Sequence, residues 1–233
     1  MSSVESKSPW TVQNFFTNMS AAAVGVFPFA EMFRQKAYQQ MGQKAPSLDL
    51  KNNLASRTKV ASGFGPMVAL QVIVEEDIKL RLFEKNGQKA SDWQSGVASL
   101  SSAVLTTPLM IAFNGVLAKM PLKTAFRKMN KTQVALTVLR EAVFLFSMSY
   151  SKKASKYVEE KTENKAVNHM ANVATVGAGA FLNHPMDTFL TRTQNGLSLH
   201  PTDAYRGVVK RVGAVCGTVF VYKQLLMLKN TKD

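Results

Sequence analysis

The chain has 233 residues, 46% of them hydrophobic, and carries 29 Lys and Arg against 15 Asp and Glu, a net charge of +14. Its one cysteine, Cys216, excludes an intramolecular disulfide and a cysteine metal cluster. There is no Walker A loop, zincin helix, nucleophile elbow or dinucleotide glycine fingerprint, so no enzyme activity, cofactor or metal is expected.

The N-terminal stretch MSSVESKSPW, with Glu5 and Lys7, is polar and lacks both a signal-peptide core and an Arg-rich transit pattern, so any targeting is expected to be internal. The first long element, residues 8–30, holds no Asp, Glu, Lys or Arg and ends beside Pro28. Glu31 and Arg34 follow at once, and Lys36, Lys44, Lys51, Arg57 and Lys59 make the connection basic. A shorter apolar segment, 60–74, then ends in Glu75, Glu76 and Lys79.

The second long run, 93–118, contains Pro108, and the residues after that proline, from Leu109 to Asn114, are uncharged. A basic connection with Lys119, Lys123, Arg127, Lys128 and Lys131 leads to 132–151, which Arg140 and Glu141 interrupt. The third run, 166–186, contains Pro185 and passes into Asp187, Arg192 and Gln194; a polar connection with Arg206, Lys210 and Arg211 precedes a last apolar segment, 212–222.

Long and short segments therefore alternate three times, with the prolines 80 and 77 residues apart. This divides the chain into 1–90, 91–163 and 164–233, three repeats of one integral membrane domain. A bilayer needs about 20 apolar residues per helix, which the three long runs supply and the short ones do not. Extending the short segments brings in charges such as Arg140 and Arg211, which in a membrane face a bundle interior or a watery cavity. The three prolines predict kinks at equivalent places. Ala21, Ala22, Ala23 and Gly25, and later Gly177, Ala178, Gly179 and Ala180, suit close helix contact.

A mean hydropathy of −0.05 keeps a soluble helical protein in view. Charge segregation opposes it, because a soluble amphipathic helix renews its charged face at every turn. The basic residues follow the loops instead of forming one stripe, and no aromatic-basic platform exists, so nucleic acid is not an expected partner. Sharing one side of a membrane, those loops would meet anionic lipid head groups.

The three repeats, and above all Pro185, Asp187, Arg192 and Gln194 at relative positions 0, +2, +7 and +9, resemble the mitochondrial carrier family. Tyr205, Arg206 and Gly207 look like the step that opens its short matrix-side helix. Leu190 stands where the family has a basic residue, Glu31 lies at +3 from Pro28 where the family has its acid at +2, and the second repeat lacks the charges. The resemblance implies six transmembrane helices in three pseudo-symmetric two-helix repeats around a central cavity, in the mitochondrial inner membrane. It implies a gate of Glu31, Arg34, Asp187, Arg192 and Gln194, with Asp187 reaching Arg34, and a second network retaining Glu76 and Lys79. Substrate contacts fall on Gly63 or Phe64, Arg140 and Arg211.

Two arginines facing one cavity favour a small anion, since each guanidinium holds a carboxylate or phosphate in a forked hydrogen bond. The plainer alternatives are that Arg140 pairs with Glu141 or another helix and that Arg211 sits at a lipid interface. The expected function is thus a carrier, working as a monomer, that moves a carboxylate, keto acid or phosphate-bearing solute by alternating access, as in exchange. The alternative is a carrier-fold receptor, adaptor or scaffold that no longer transports.

Overall fold

A computed structural model describes residues 8–45, 53–84, 89–117, 120–162 and 164–230; Glu5, Lys7, Lys51 and Lys119 lie outside them. The described chain is helical, with no strand among these residues. Helix α1 (Val12–Val26), a 3-10 turn (Phe27–Phe29) and α2 (Ala30–Gln40) are followed by α3 (Leu54–Leu82) and α4 (Asp92–Leu117). Short α5 (Leu122–Arg127), then α6 (Lys131–Glu159), α7 (Lys165–Leu182), α8 (His184–Gln194), a second 3-10 turn (Pro201–Asp203) and α9 (Val208–Asn230) complete the order.

Local sequence sets the boundaries. The Thr11 hydroxyl accepts a hydrogen bond from the Asn14 amide at 3.0 Å, Asn130 caps α6 through Gln133 at 2.9 Å, and Asn164 caps α7 through Ala166 at 3.0 Å. Each satisfies a first-turn N–H that has no partner within its helix. Pro28 has no N–H to offer, and the chain tightens there into the 3-10 turn that separates α1 from α2. Asn183 separates α7 from α8, whose first turn contains Pro185. Pro108 lies within an unbroken α4, and so does Pro66, which the repeat pattern gave no reason to single out, within α3.

The expected lengths need correction. With the breaks at Pro28 and Asn183, α1 has 15 residues and α7 has 18, while α6, expected to be too short, is one helix of 29. By length and apolarity the described helices suited to crossing a membrane are Asp92–Gly115 and Lys131–Glu159. The run 212–222 also begins earlier than expected: Gly207, at a φ of 82°, leads directly into α9, and no separate short helix intervenes.

The long elements pack in a ring. Helix α1 lies against α3, α3 against α4, α4 against α6, α6 against α7, α7 against α9, and α9 returns to α1. Helices α2 and α8, also in contact with each other, sit against α9 and α6. Glycines permit the closest approaches. A Cβ at Gly25 would stand 2.9 Å from the Thr218 carbonyl of α9, and one at Gly65 would stand 2.7 Å from the Met19 carbonyl of α1. The small residues of α7 act likewise, Gly177 against Cys216 and Gly179 against Ser147.

Two helices of the ring bury polar stripes and expose apolar residues. Helix α4 buries Ser95, Ser99, Ser102 and Thr106 and exposes Leu100, Val104, Leu105 and Leu109. Helix α6 buries Thr137, Arg140, Glu141 and Ser147 and exposes Leu139 and Phe146. The serine stripe faces α3, where Ser99 donates to Glu75 at 3.0 Å and Ser102 to the Gln71 carbonyl at 3.1 Å.

Candidate functional site

At the level where α1 and α7 break, one carboxylate gathers cations from three helices. Asp187, in the first turn of α8, lies 2.8 Å from Lys36 Nζ on α2, 2.9 Å from Arg140 Nη1 on α6 and 2.7 Å from Arg211 Nη1 on α9. Gln40 donates to the same carboxylate at 2.7 Å. All four charged residues are buried, Asp187 to 2% exposure. Burying charge this deeply is tolerable only with close pairing, which the cluster provides.

A second acid completes the charge pattern. Arg140 Nε is 2.6 Å from Glu141, whose other oxygen accepts from Gln71 of α3 at 2.9 Å. Asn183, at the α7–α8 break, accepts from Arg211 at 2.6 Å and donates to the Arg140 carbonyl at 3.0 Å. The α7–α8 break thus turns the Asn183 amide toward the cluster.

Beyond the cluster one end of the ring is closed. Arg192 bonds Asp203 at 2.9 Å, the Ser198 carbonyl at 2.7 Å and the Gln40 carbonyl at 3.1 Å. Gln194 donates to the Ile111 carbonyl at 2.9 Å and accepts from Asn114. Asn114 is the neutral link by which α4, without charges after Pro108, joins α8.

Toward the other end lies a chamber of about 80 Å³, walled by the cluster and by Phe33, Phe64, Phe113 and Phe144. It shares Val68, Gln71 and Phe144 with an outer pocket of about 110 Å³, which reaches Glu76, Lys79 and Lys152. These last residues also line a wide mouth of about 870 Å³ with Lys89, Lys153 and Lys156. From Lys79 inward to Gln71 is about 12 Å of helix rise.

The sequence-derived residues distribute unevenly over this geometry. Phe64, Arg140 and Arg211 line the chamber, but Gly63 does not; it lets α3 pass Phe113, whose ring would stand 2.9 Å from a Cβ there. Arg140 takes up both of its plainer pairings, with Glu141 and with Asp187. Arg211 is buried in the bundle and not at a lipid interface. Lys36, Arg57 and Arg211 are buried, unlike solvated members of the basic connections in which they were counted, and Arg192 is buried as well.

The expected gate changes partners. Asp187 takes Lys36 and not Arg34, which pairs with Glu31 of its own helix at 2.9 Å. Lys79 bonds Glu75 and, at 2.6 Å, Ser149, whereas Glu76 stands 3.8 Å from Lys152 in a half-exposed pair. Lys36, Gln40, Gln71, Asn114 and Glu141 were not singled out for the site. The signal for Gln40 was present, since it follows Lys36 by four residues as Gln194 follows Leu190.

No family model and no curated protein sequence matches the chain.

Proposed function

We propose that this protein is a membrane solute carrier that moves a small anion by alternating access. The carrying observation is a buried site of excess positive charge between a closed end and an open mouth, inside a helical ring in which α4 and α6 turn apolar residues outward. An entering anion can take over arginine contacts that Asp187 holds in the closed state. Opening the closed end then no longer strands those cations. Lysines around the mouth raise the local concentration of anions.

In this reading α1–α2, α4 and α7–α8 are the broken or proline-bearing members of three two-helix repeats, each followed by one of α3, α6 and α9. Six helices would span the bilayer around the chamber, in one domain divided at 1–90, 91–163 and 164–233. The lipid-facing role is supported by the exposed leucines of α4 and by the serine stripe turned inward. Mitochondrial carriers and the inner mitochondrial membrane are proposed on the sequence resemblance alone.

Arg140→Gln is expected to abolish a selective rise in the thermal midpoint of the detergent-purified protein with small carboxylates, keto acids or phosphate. Arg81→Gln, which loses only an exposed pair with Asp77, is expected to retain it. A folded wild type that no anion stabilises would contradict the carrier reading.

A non-transporting membrane scaffold is the second reading. It is favoured by the full internal pairing of Asp187 and by the neutral Asn114 link, which together could serve as a permanent lock.

A further inference from the structure

Resting on the carrier reading, we infer that the solute is a short-chain monocarboxylate with an apolar body, not a dicarboxylate, tricarboxylate or phosphate. Two independent features of the chamber carry this, its charge balance and its wall.

The charged residues lining the chamber are Lys36, Arg140 and Arg211 against Glu141 and Asp187, three cations to two anions. One added negative charge brings this set to neutrality. A dianion would leave an uncompensated negative charge in a buried site, which is costly unless a further partner exists.

The wall offers none. The rest of the lining holds Phe33, Phe64 and Phe113, with ring centroids spaced 6.1 Å apart from one to the next, together with Phe144 and aliphatic side chains such as Val60, Val68 and Val215. The two amides on the lining are engaged: Gln71 donates to Glu141, and Asn114 donates to Gln194. A second carboxylate or a hydroxyl on the solute would therefore face phenyl rings, whereas a hydrocarbon chain would gain by leaving water. The volume, about 80 Å³ against the roughly 10–15 Å³ that one water needs by the same measure, suits a short chain. A nucleotide would require the ring to part.

Equilibrium dialysis of the full chain in detergent tests this with labelled acetate, propionate, butyrate and valerate, alongside malate, citrate and phosphate at matched ionic strength. Affinity is expected to rise about fourfold per added methylene until the chamber is full. Butyrate is expected to exceed malate, citrate and phosphate by at least about tenfold. Phe64→Ala should flatten the chain-length dependence, and Phe113→Leu provides a milder variant if the first does not fold. Butylamine, of equal chain length and opposite charge, should not compete.

Binding of malate, citrate or phosphate as tight as that of butyrate would overturn the inference while leaving the anion-carrier reading intact. So would affinity independent of chain length in the wild type. Failure of every anion to bind the folded protein would overturn both.

Discussion

Asp187→Asn is expected to lower the thermal midpoint by more than any other single change in the charge cluster, with partial recovery on adding a small carboxylate. The substitution keeps the shape but removes the charge shared by Lys36, Arg140 and Arg211, and only Glu141 would remain to balance them. Breaking a buried pair by neutralising one member costs about 3–5 kcal/mol, because the partner stays buried and unpaired. For a chain of this length that corresponds to roughly 6–20 °C. Recovery is the informative half of the result. If the chamber accepts an anion, acetate or butyrate can stand in for the missing carboxylate and stabilise the folded state by mass action. An equal loss in midpoint with no response to any anion would leave Asp187 as a structural lock.

Gly25→Val is expected to open the seam that closes the ring, where α9 returns to α1. A Cβ at Gly25 meets backbone on the facing helix, the Thr218 carbonyl at 2.9 Å and the Tyr222 amide nitrogen at 3.3 Å, so no rotamer change relieves the contact. The seam also holds the hydrogen bond from the Tyr222 hydroxyl to Asn18 at 2.6 Å. Forced overpacking typically costs about 1–3 kcal/mol, and valine would bring two methyl groups beyond the Cβ that alone would already crowd this seam. Gly25→Ala should therefore lie between wild type and Gly25→Val in urea or thermal unfolding. In a helix not packed there, the alanine variant would gain stability from its better helix propensity, so a rise in midpoint for Gly25→Ala would count against this α1–α9 contact.

Much of this architecture was legible in the sequence because it depends on local chemistry. Pro28 and Pro185 marked two breaks, while Pro108 sits in a continuous α4; the small-residue runs marked close approaches, and Arg140, standing between apolar flanks, pointed inward. Helix phase was harder to read. Arg34 and Lys36 are two residues apart, roughly 200° around a helix, so only one can face the ring interior. Which one does depends on how far the 3-10 turn at Phe27–Phe29 rotates α2, and sequence periodicity does not give that rotation. The same ambiguity separated Glu75 from Glu76, since an acid three or four residues before Lys79 can pair with it.

Helix length was misjudged at α6 for a related reason. Arg140 and Glu141 resembled an interruption, but they neutralise each other and meet Asp187 and Gln71, which lets the helix run through. The polar stripe of α4 could have been found as well: Ser95, Ser99, Ser102 and Thr106 recur at helical spacing, opposite to Leu100, Val104 and Leu105. Attention to charge alone passed over it, as it passed over Gln40 and Asn114, neutral residues that hold the closed end.

The most direct test of the central claim is anion exchange in liposomes reconstituted with the purified protein. Labelled butyrate outside would be measured against unlabelled butyrate inside, for wild type and for Arg211→Gln. Uptake that requires internal anion and falls by at least about tenfold in the variant, whose loss removes one guanidinium from the site, is the predicted result. Folded wild-type protein in sealed liposomes that moves no anion above the protein-free rate, whichever anion is loaded inside, would contradict it and leave a membrane scaffold built around a permanently closed Asp187 lock.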